Sequence, residues 1–295
     1  MIGTGTLRLR RTPESAPHLP GYDLLTLMRR GARLDTYDAY SQERDCRCVV
    51  KTVRPDRAAD ADVGEALRRE GGLLKELAHP HLVRAYEVTE RPTAVVLETL
   101  TGATLAALVE DAALTAADSV LLGRHLTSVL GYLHRRGWLH LDVKPSNVVV
   151  QSGRAVLIDL SVAAPFGQAR PGAGTWGYLS PEQVTGRAVC PAADVFGLGV
   201  TLGETLTGRL PYGEEGRWRK PHRRSPDRAF CRRLNEAPDR LGGLVLACVD
   251  PDPGRRPTLA QVRAALQSLE PLPHDRPLTT AATSAEMVVD GRGVR

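Results

Sequence analysis

Apolar residues recur at two different periods along this chain, and the change of period divides it. Tyr37 to Tyr40 and Cys46 to Val53 are short runs rich in β-branched and aromatic residues, joined by the polar stretch Ser41 to Asp45, and they read as two strands and a turn. From Ala61 to Leu77 the positions Leu67, Leu74 and Leu77 follow helical spacing, with Asp60 or Asp62 near the start. Two more strands are expected over Leu82 to Thr89 and Thr93 to Leu97. Strands around one helix make a small lobe.

Beyond Thr101-Gly102 the pattern turns to long helices, one from about Thr115 through Arg136 and one from about Ala192 through Thr207, the first stopped by Gly137. A last helix is expected from about Thr258 to Leu269, with Pro257 and Thr258 at its start. After Pro271 the chain becomes polar and aperiodic, so residues 271–295 are expected to be a disordered tail, and residues 1–20 an N-terminal extension. The chain thus reads as α+β, with a β-rich N-lobe over about 21–100 and an α-helical C-lobe over about 101–270, together one domain of residues 21–270 without internal repeats.

Composition adds limits. A chain of 295 residues, 42% hydrophobic, can bury a substantial core, and a formal charge of +5 permits acidic partners without demanding nucleic acid. No apolar run approaches the ~18 residues of a membrane span. Met1 to Pro20 has arginines but no apolar core after them, so no signal peptide is read, and a cytoplasmic location without a membrane partner is expected. The five cysteines, Cys46, Cys48, Cys190, Cys231 and Cys248, lack the paired spacing of a zinc site and are expected to be reduced structural thiols. The bias toward arginine, alanine, glycine and proline fits a high-GC bacterial gene. The most basic stretch, Arg217-Trp218-Arg219-Lys220-Pro221-His222-Arg223-Arg224, reads as a solvated loop or a selector of acidic substrates; no recognition motif accompanies it to suggest nucleic acid.

The chemistry concentrates in His140-Leu141-Asp142-Val143-Lys144-Pro145-Ser146-Asn147, which runs into Val148-Val149-Val150 and is followed by the framed acid of Val156-Leu157-Ile158-Asp159. Phosphoryl transfer needs a carboxylate to accept a hydroxyl proton, an amide oxygen and a second carboxylate for Mg²⁺, and an ammonium to steady the migrating group. This segment supplies all of them.

With others spread over roughly Tyr22 to Leu269, these residues resemble the catalytic domain of a bacterial eukaryotic-like (Hanks-type) Ser/Thr protein kinase. The resemblance implies a bilobal protein-kinase-like fold, ATP with Mg²⁺ (or Mn²⁺ in its place) as cofactors, and a protein substrate, with oligomeric state left open. It implies that Asp142 accepts the substrate proton, Lys144 neutralises the transferring phosphoryl group, Asn147 and Asp159 hold metal, and His140 is a packed structural histidine. Cys48-Val49-Val50-Lys51 resembles the strand whose lysine pairs the inner phosphates of the nucleotide. Glu70, followed by Leu73-Leu74 and by Leu77-Ala78-His79-Pro80-His81-Leu82-Val83, resembles its ion-pair partner. The chain has only four lysines, Lys51, Lys75, Lys144 and Lys220, and two of them fall where the family needs a compact ammonium.

Val95-Val96-Leu97-Glu98-Thr99-Leu100-Thr101-Gly102 resembles the hinge strand, where backbone groups of Glu98 to Leu100 would read the adenine edge and Leu97 would guard the back of the pocket. Gly31, Thr36, Val49 and Val149 complete the implied nucleotide contacts. Gly174-Thr175-Trp176-Gly177-Tyr178-Leu179-Ser180-Pro181-Glu182 resembles the end of an activation loop. Asp194 resembles the buried acid that braces the catalytic loop, and Arg256 the partner of Glu182.

Three departures from the family pattern stand out. Leu27-Met28-Arg29-Arg30-Gly31-Ala32-Arg33-Leu34-Asp35-Thr36-Tyr37 keeps one glycine where the family has three, which predicts weaker nucleotide affinity unless Arg29, Arg30 or Arg33 supplies charge; Val49 in place of alanine narrows the adenine pocket. Leu141 replaces the arginine that receives a phosphorylated activation loop, and between Ser161 and Thr175 that loop has no hydroxyl at all. Thr175 itself matches the threonine that contacts the catalytic Asp and Lys, so activation without loop phosphorylation is expected. Asp159-Leu160-Ser161 replaces Asp-Phe-Gly, keeping the carboxylate but losing the glycine.

Three function classes follow: a protein Ser/Thr kinase, a weakly catalytic pseudokinase acting as a binding module, and a small-molecule phosphotransferase of the aminoglycoside type. Joint retention of Lys51, Glu70, Asp142, Asn147 and Asp159 favours catalysis, and Lys144 with Ser180-Pro181-Glu182 and Arg256 favours a protein substrate.

Overall fold

A computed structural model describes residues 16–168, 171–213 and 225–269. Residues up to Ala78 with Val83–Leu100 form one compact unit, and His79–Leu82 with the chain from Thr101 onward form another. The expected tail, most of the N-terminal extension and the basic stretch Arg217 to Arg224 lie outside the described residues.

In the first unit the strand pattern closes into a five-stranded antiparallel sheet of β1 (Tyr22–Arg30), β2 (Leu34–Ser41), β3 (Cys46–Val53), β4 (Ala85–Glu90) and β5 (Thr93–Glu98), in the order β1-β2-β3-β5-β4. β2 starts three residues before the expected Tyr37, and β4 starts at Ala85 rather than Leu82. Leu82 instead makes an isolated bridge to Leu157 within the second unit. β1 has no counterpart in the sequence reading, because register shifts at Leu24/Thr26 and Leu27/Arg29 break the alternation that reveals a strand.

Alternation along the sheet sends Tyr37, Ala39, Cys48, Val50, Ala94 and Val96 into one apolar cluster with Leu19 and Tyr22. The opposite face carries Val49 and Lys51, in register with Leu97 and Val95 of β5. Helix α1 (Ala61–Glu76) buries Val63, Leu67, Glu70 and Leu74 along one stripe, and Leu77 is its C-cap. Gly71 lets it lie close on the sheet: a Cβ there would stand 2.5 Å from Val95 and 2.6 Å from Val88. Its neighbour Glu70 is thereby held against the strands.

The second unit is mainly helical: α2 (Leu105–Asp111), α3 (Ala116–Arg135), α4 (Pro181–Thr185), α5 (Pro191–Thr207), α6 (Arg228–Leu234), α7 (Asp239–Cys248) and α8 (Leu259–Ser268). α3 packs on α5 and α8, and α5 on α7. Leu122, Leu126, Val129, Leu130 and Leu133 of α3 are fully buried. The long helices match expectation within a residue or two, since their ends are set by local chemistry. The Thr115 hydroxyl accepts the Asp118 amide at 3.1 Å, Pro191 and Gly208 bracket α5, and Thr258 with Gln261 forms a capping box on α8. The sequence reading did not include α2, α4, α6 or α7.

Two small antiparallel sheets complete the unit: β6 (Ala103–Thr104), β8 (Val148–Gln151) and β9 (Arg154–Leu157) in the order β6-β8-β9, and β7 (Trp138–Leu139) paired with β10 (Ala164–Pro165). Between β7 and β8 runs the polar cluster of residues 140–147. All five cysteines are free thiols, and burial pushes the Cys48 and Cys248 pKa values up to about 11 and about 12, which keeps them protonated and unreactive. Among the described residues no helix is long and apolar enough to cross a membrane.

Candidate active site

The expected site residues divide between the two units. On the first, β3 places Val49 and Lys51 on one face, with Leu97 opposite Val49 and Thr36 opposite Lys51. The Lys51 ammonium donates to both carboxylate oxygens of Glu70, each at 2.9 Å, and Glu70 is only 3% exposed. A buried carboxylate in that position keeps the ammonium charged and fixes its direction.

Gly31 closes the β1–β2 hairpin: its N–H donates to the Leu34 carbonyl at 2.8 Å, and its carbonyl accepts from Arg54 at 3.0 Å. Of the three arginines considered as phosphate ligands, Arg30 is taken up inside the hairpin. Its guanidinium grips the fully buried Asp35 through bonds of 3.2 and 3.1 Å, while Arg29 and Arg33 are exposed. The Glu98 amide is likewise engaged, donating to the Arg84 carbonyl at 3.0 Å.

On the second unit the catalytic-loop residues converge on Asp142, which is 8% exposed. Its Oδ2 faces the Lys144 ammonium at 2.8 Å and accepts the Asn147 carboxamide N–H at 2.9 Å; the same Asn147 nitrogen also donates to the Asp142 backbone carbonyl at 3.0 Å. Its Oδ1 is buried without a hydrogen-bond partner. A carboxylate gripped at one oxygen has a fixed orientation, and a buried acceptor without a partner is an exception that asks for an explanation. Lys144 also donates to the Thr175 hydroxyl, one of the two contacts expected for that threonine.

Asn147 spends its N–H₂ on Asp142, which leaves its amide oxygen as the side chain's remaining polar atom. Asp159 is anchored through Oδ1, which accepts the Ser161 amide at 2.8 Å. Among the described residues no three His, Cys, Asp or Glu side chains gather into an all-protein metal site. An amide oxygen and one carboxylate suit Mg²⁺, which keeps several waters and takes ligands from nucleotide phosphates. Val149 lies on β8 opposite Val156, two residues beyond Asn147.

The loop is braced from beneath by Asp194 at the start of α5. That carboxylate accepts the His140 amide at 2.9 Å, the Leu141 amide at 2.7 Å and a hydrogen bond from His134 Nε2 at 2.8 Å. Burial alone would raise its pKa, but the hydrogen bond from His134 and the Leu141 amide pull it below the usual carboxylate value. His140 is fully buried and its pKa is lowered by burial, so the ring is neutral, and its Nδ1 accepts the Asp142 amide at 3.2 Å. It packs and orients, as expected, rather than acting as a base. Farther out, Arg256 forms a fork to Glu182 at 2.6 and 2.9 Å, donates to the Ala192 and Asp250 carbonyls and lies over the Phe196 ring at 4.8 Å.

The conformation of Leu141 and the reach of Gln183 were not expected from the sequence. Leu141 adopts φ +66° and buries its side chain with Leu139, Ala164, Val189 and Ala193. Gln183, 2% exposed, reaches back to this loop. Neither the left-handed turn at a leucine nor the reach of a helix-start glutamine leaves a sequence signal.

The protein kinase domain family model matches residues 22–266. Serine/threonine-protein kinase PknD of Mycobacterium tuberculosis is 31% identical over 209 residues, which cover 68% of this chain and 32% of that protein. Serine/threonine-protein kinase PkaA of Streptomyces coelicolor is 30% identical over 233 residues, 74% of this chain and 42% of that protein. Probable serine/threonine-protein kinase PkwA of Thermomonospora curvata is 34% identical over 236 residues, 75% of this chain and 30% of that protein. The chain therefore spans less than half the length of these relatives. It belongs to the protein kinase domain family.

Proposed function

We propose that this chain transfers the γ-phosphoryl group of ATP to serine or threonine hydroxyls of proteins. The observation that carries the reading is Asp142, held at Oδ2 by Lys144 and Asn147 while its buried Oδ1 has no hydrogen-bond partner. In this reading a substrate hydroxyl lies against the Asp142 carboxylate and gives up its proton to it as its oxygen attacks phosphorus in line with the departing ADP oxygen. Lys144, bonded to both Asp142 and Thr175, sets positive charge beside the attacking oxygen. Lys51, aimed by Glu70, pairs with the inner phosphates. Leu97, Val49 and Thr36 of the first unit would border the nucleotide.

Asn147 and Asp159 would hold Mg²⁺, or Mn²⁺ in its place, which when bound offsets charge on the phosphate oxygens. The reading includes a cytoplasmic site of action, where ATP is supplied, and a substrate of acidic character selected by the basic residues Arg217 to Arg224. It also includes activity without a phosphate on the activation loop: Leu141 fills an apolar cluster where a phosphate-binding arginine would stand, and residues 162–174 offer no hydroxyl. The hairpin locked by Arg30 and Asp35 supports modest nucleotide affinity rather than a pseudokinase, since the residues of the transfer step are all present.

Incubation with labelled ATP, Mg²⁺ and generic protein acceptors tests this, with Asp142→Asn and Lys51→Met beside the wild type. Label on protein with the wild type and its loss in both variants is expected. Equal labelling in all three rejects the reading.

A further inference from the structure

Gln183 sits in α4 as the third helical residue, and it uses its side chain in two directions. Its Oε1 accepts the Ser180 amide and hydroxyl, each at 3.0 Å, completing the cap of the helix. Its Nε2 donates both hydrogens, one to the Leu141 carbonyl at 2.9 Å and one to the Ala173 carbonyl at 3.0 Å. Its own carbonyl accepts the Gly172 amide at 2.9 Å. A buried primary amide is thus fully satisfied, and it ties the residue beside Asp142 to the segment that ends at Thr175. Only a carboxamide offers two donors on one atom and an acceptor on the other at this length.

The segment fits that tie closely. Gly174 has φ +124°, and a Cβ there would lie 2.7 Å from the Leu141 carbonyl and 2.6 Å from Leu179. One residue on, Thr175 takes a hydrogen bond from Lys144. Leu141 is then fixed on three sides: its amide by Asp194, its carbonyl by Gln183 and its side chain by the apolar cluster.

We propose that Gln183 is a positioning residue, whose carboxamide clamps residues 172–175 onto the catalytic loop and keeps Lys144, Thr175 and Asp142 aligned without a phosphate. The inference rests on the kinase reading above for its consequence in rate. The clamp itself is a statement about the second unit alone.

Hydrogen exchange and steady-state kinetics on the wild type, Gln183→Glu and Gln183→Met test both. Gln183→Glu keeps the acceptor that caps α4 and removes the donors; Gln183→Met keeps the length and removes both. In each variant the amides of residues 172–178 should exchange about tenfold faster or more, as expected when buried carbonyls lose their donor. With the segment misplaced, kcat should fall about 10- to 100-fold while KM for ATP stays within about twofold. Unchanged exchange with an active wild type overturns the clamp and spares the kinase reading. Faster exchange with kcat retained overturns the positioning role. Faster exchange in the variants of a wild type that transfers no phosphate upholds the clamp and rejects the kinase reading.

Discussion

The Asp194 carboxylate holds the Leu141 backbone amide at 2.7 Å, and Leu141 is bent to φ +66°, a conformation that leucine rarely adopts. The bond and the bend belong together. With the amides of residues 140 and 141 both turned toward one buried carboxylate, the next residue, Asp142, is directed by backbone geometry before any side chain acts on it.

Asp194→Asn replaces an acceptor of three donors with a group that carries N–H of its own. One amide or His134 is left facing a donor, so unfolding free energy should fall by about 2–4 kcal/mol, and phosphoryl transfer should fall with it. Urea unfolding read by circular dichroism, beside a transfer assay, checks both. Wild-type stability in the variant would remove Asp194 as the brace.

Arg256 and Glu182 are both almost fully buried and pair through two short bonds. Arg256→Ala should cost about 3–5 kcal/mol, because it strands a buried carboxylate, and the double variant Arg256→Met with Glu182→Leu should be less damaging than the single change. A double-mutant cycle by denaturant titration measures the coupling.

Glu70→Gln leaves a hydrogen-bond acceptor for Lys51 but removes the charge that keeps it aimed. A fall in kcat/KM of about 10- to 100-fold is expected, with stability changed by less than about 1 kcal/mol, since the amide is nearly isosteric.

Acid should loosen the second unit before it touches the carboxylates. His79 and His125 have pKa values lowered to about 4 from 6.5, first by burial and then by His81, with Arg135, Arg124 and Arg154 adding repulsion. His81 stacks on His125 at 4.2 Å and is also lowered by burial. Unfolded, His79 and His125 take up protons below about pH 6.5; folded, these two resist until about pH 4. The unfolded state therefore binds more protons in this window, and stability falls as pH drops through it, by on the order of 1 kcal/mol per ring once solvent screening is allowed for. Thermal midpoints of His125→Gln should show a flatter dependence between pH 6.5 and 4 than the wild type.

The sequence carried the long helices and the polar residues of the catalytic loop because their signals are local: caps at Thr115 and Thr258, apolar spacing in α3, and a dense run from His140 to Asn147. It carried Lys51 with Glu70 and Glu182 with Arg256 only through family resemblance, since each pair meets across a long stretch of chain. β1 was hidden by its two register shifts, and the short helices α2, α4 and α6 are only seven residues or fewer, too brief for a periodic pattern. Gln183 was hidden for a different reason. Its role depends on which carbonyls the fold brings to its amide, and no spacing in the sequence records that.

Single-turnover phosphoryl transfer by phosphatase-treated protein, with mass spectrometry confirming an unmodified activation loop, tests the central claim most directly. The wild type should transfer phosphate at a rate unchanged by the phosphatase, and Asp142→Asn should be slower by about 10²- to 10⁴-fold, the usual weight of a positioned proton acceptor. Equal rates for the two proteins, or a wild type that is inert until its loop is phosphorylated, would contradict it.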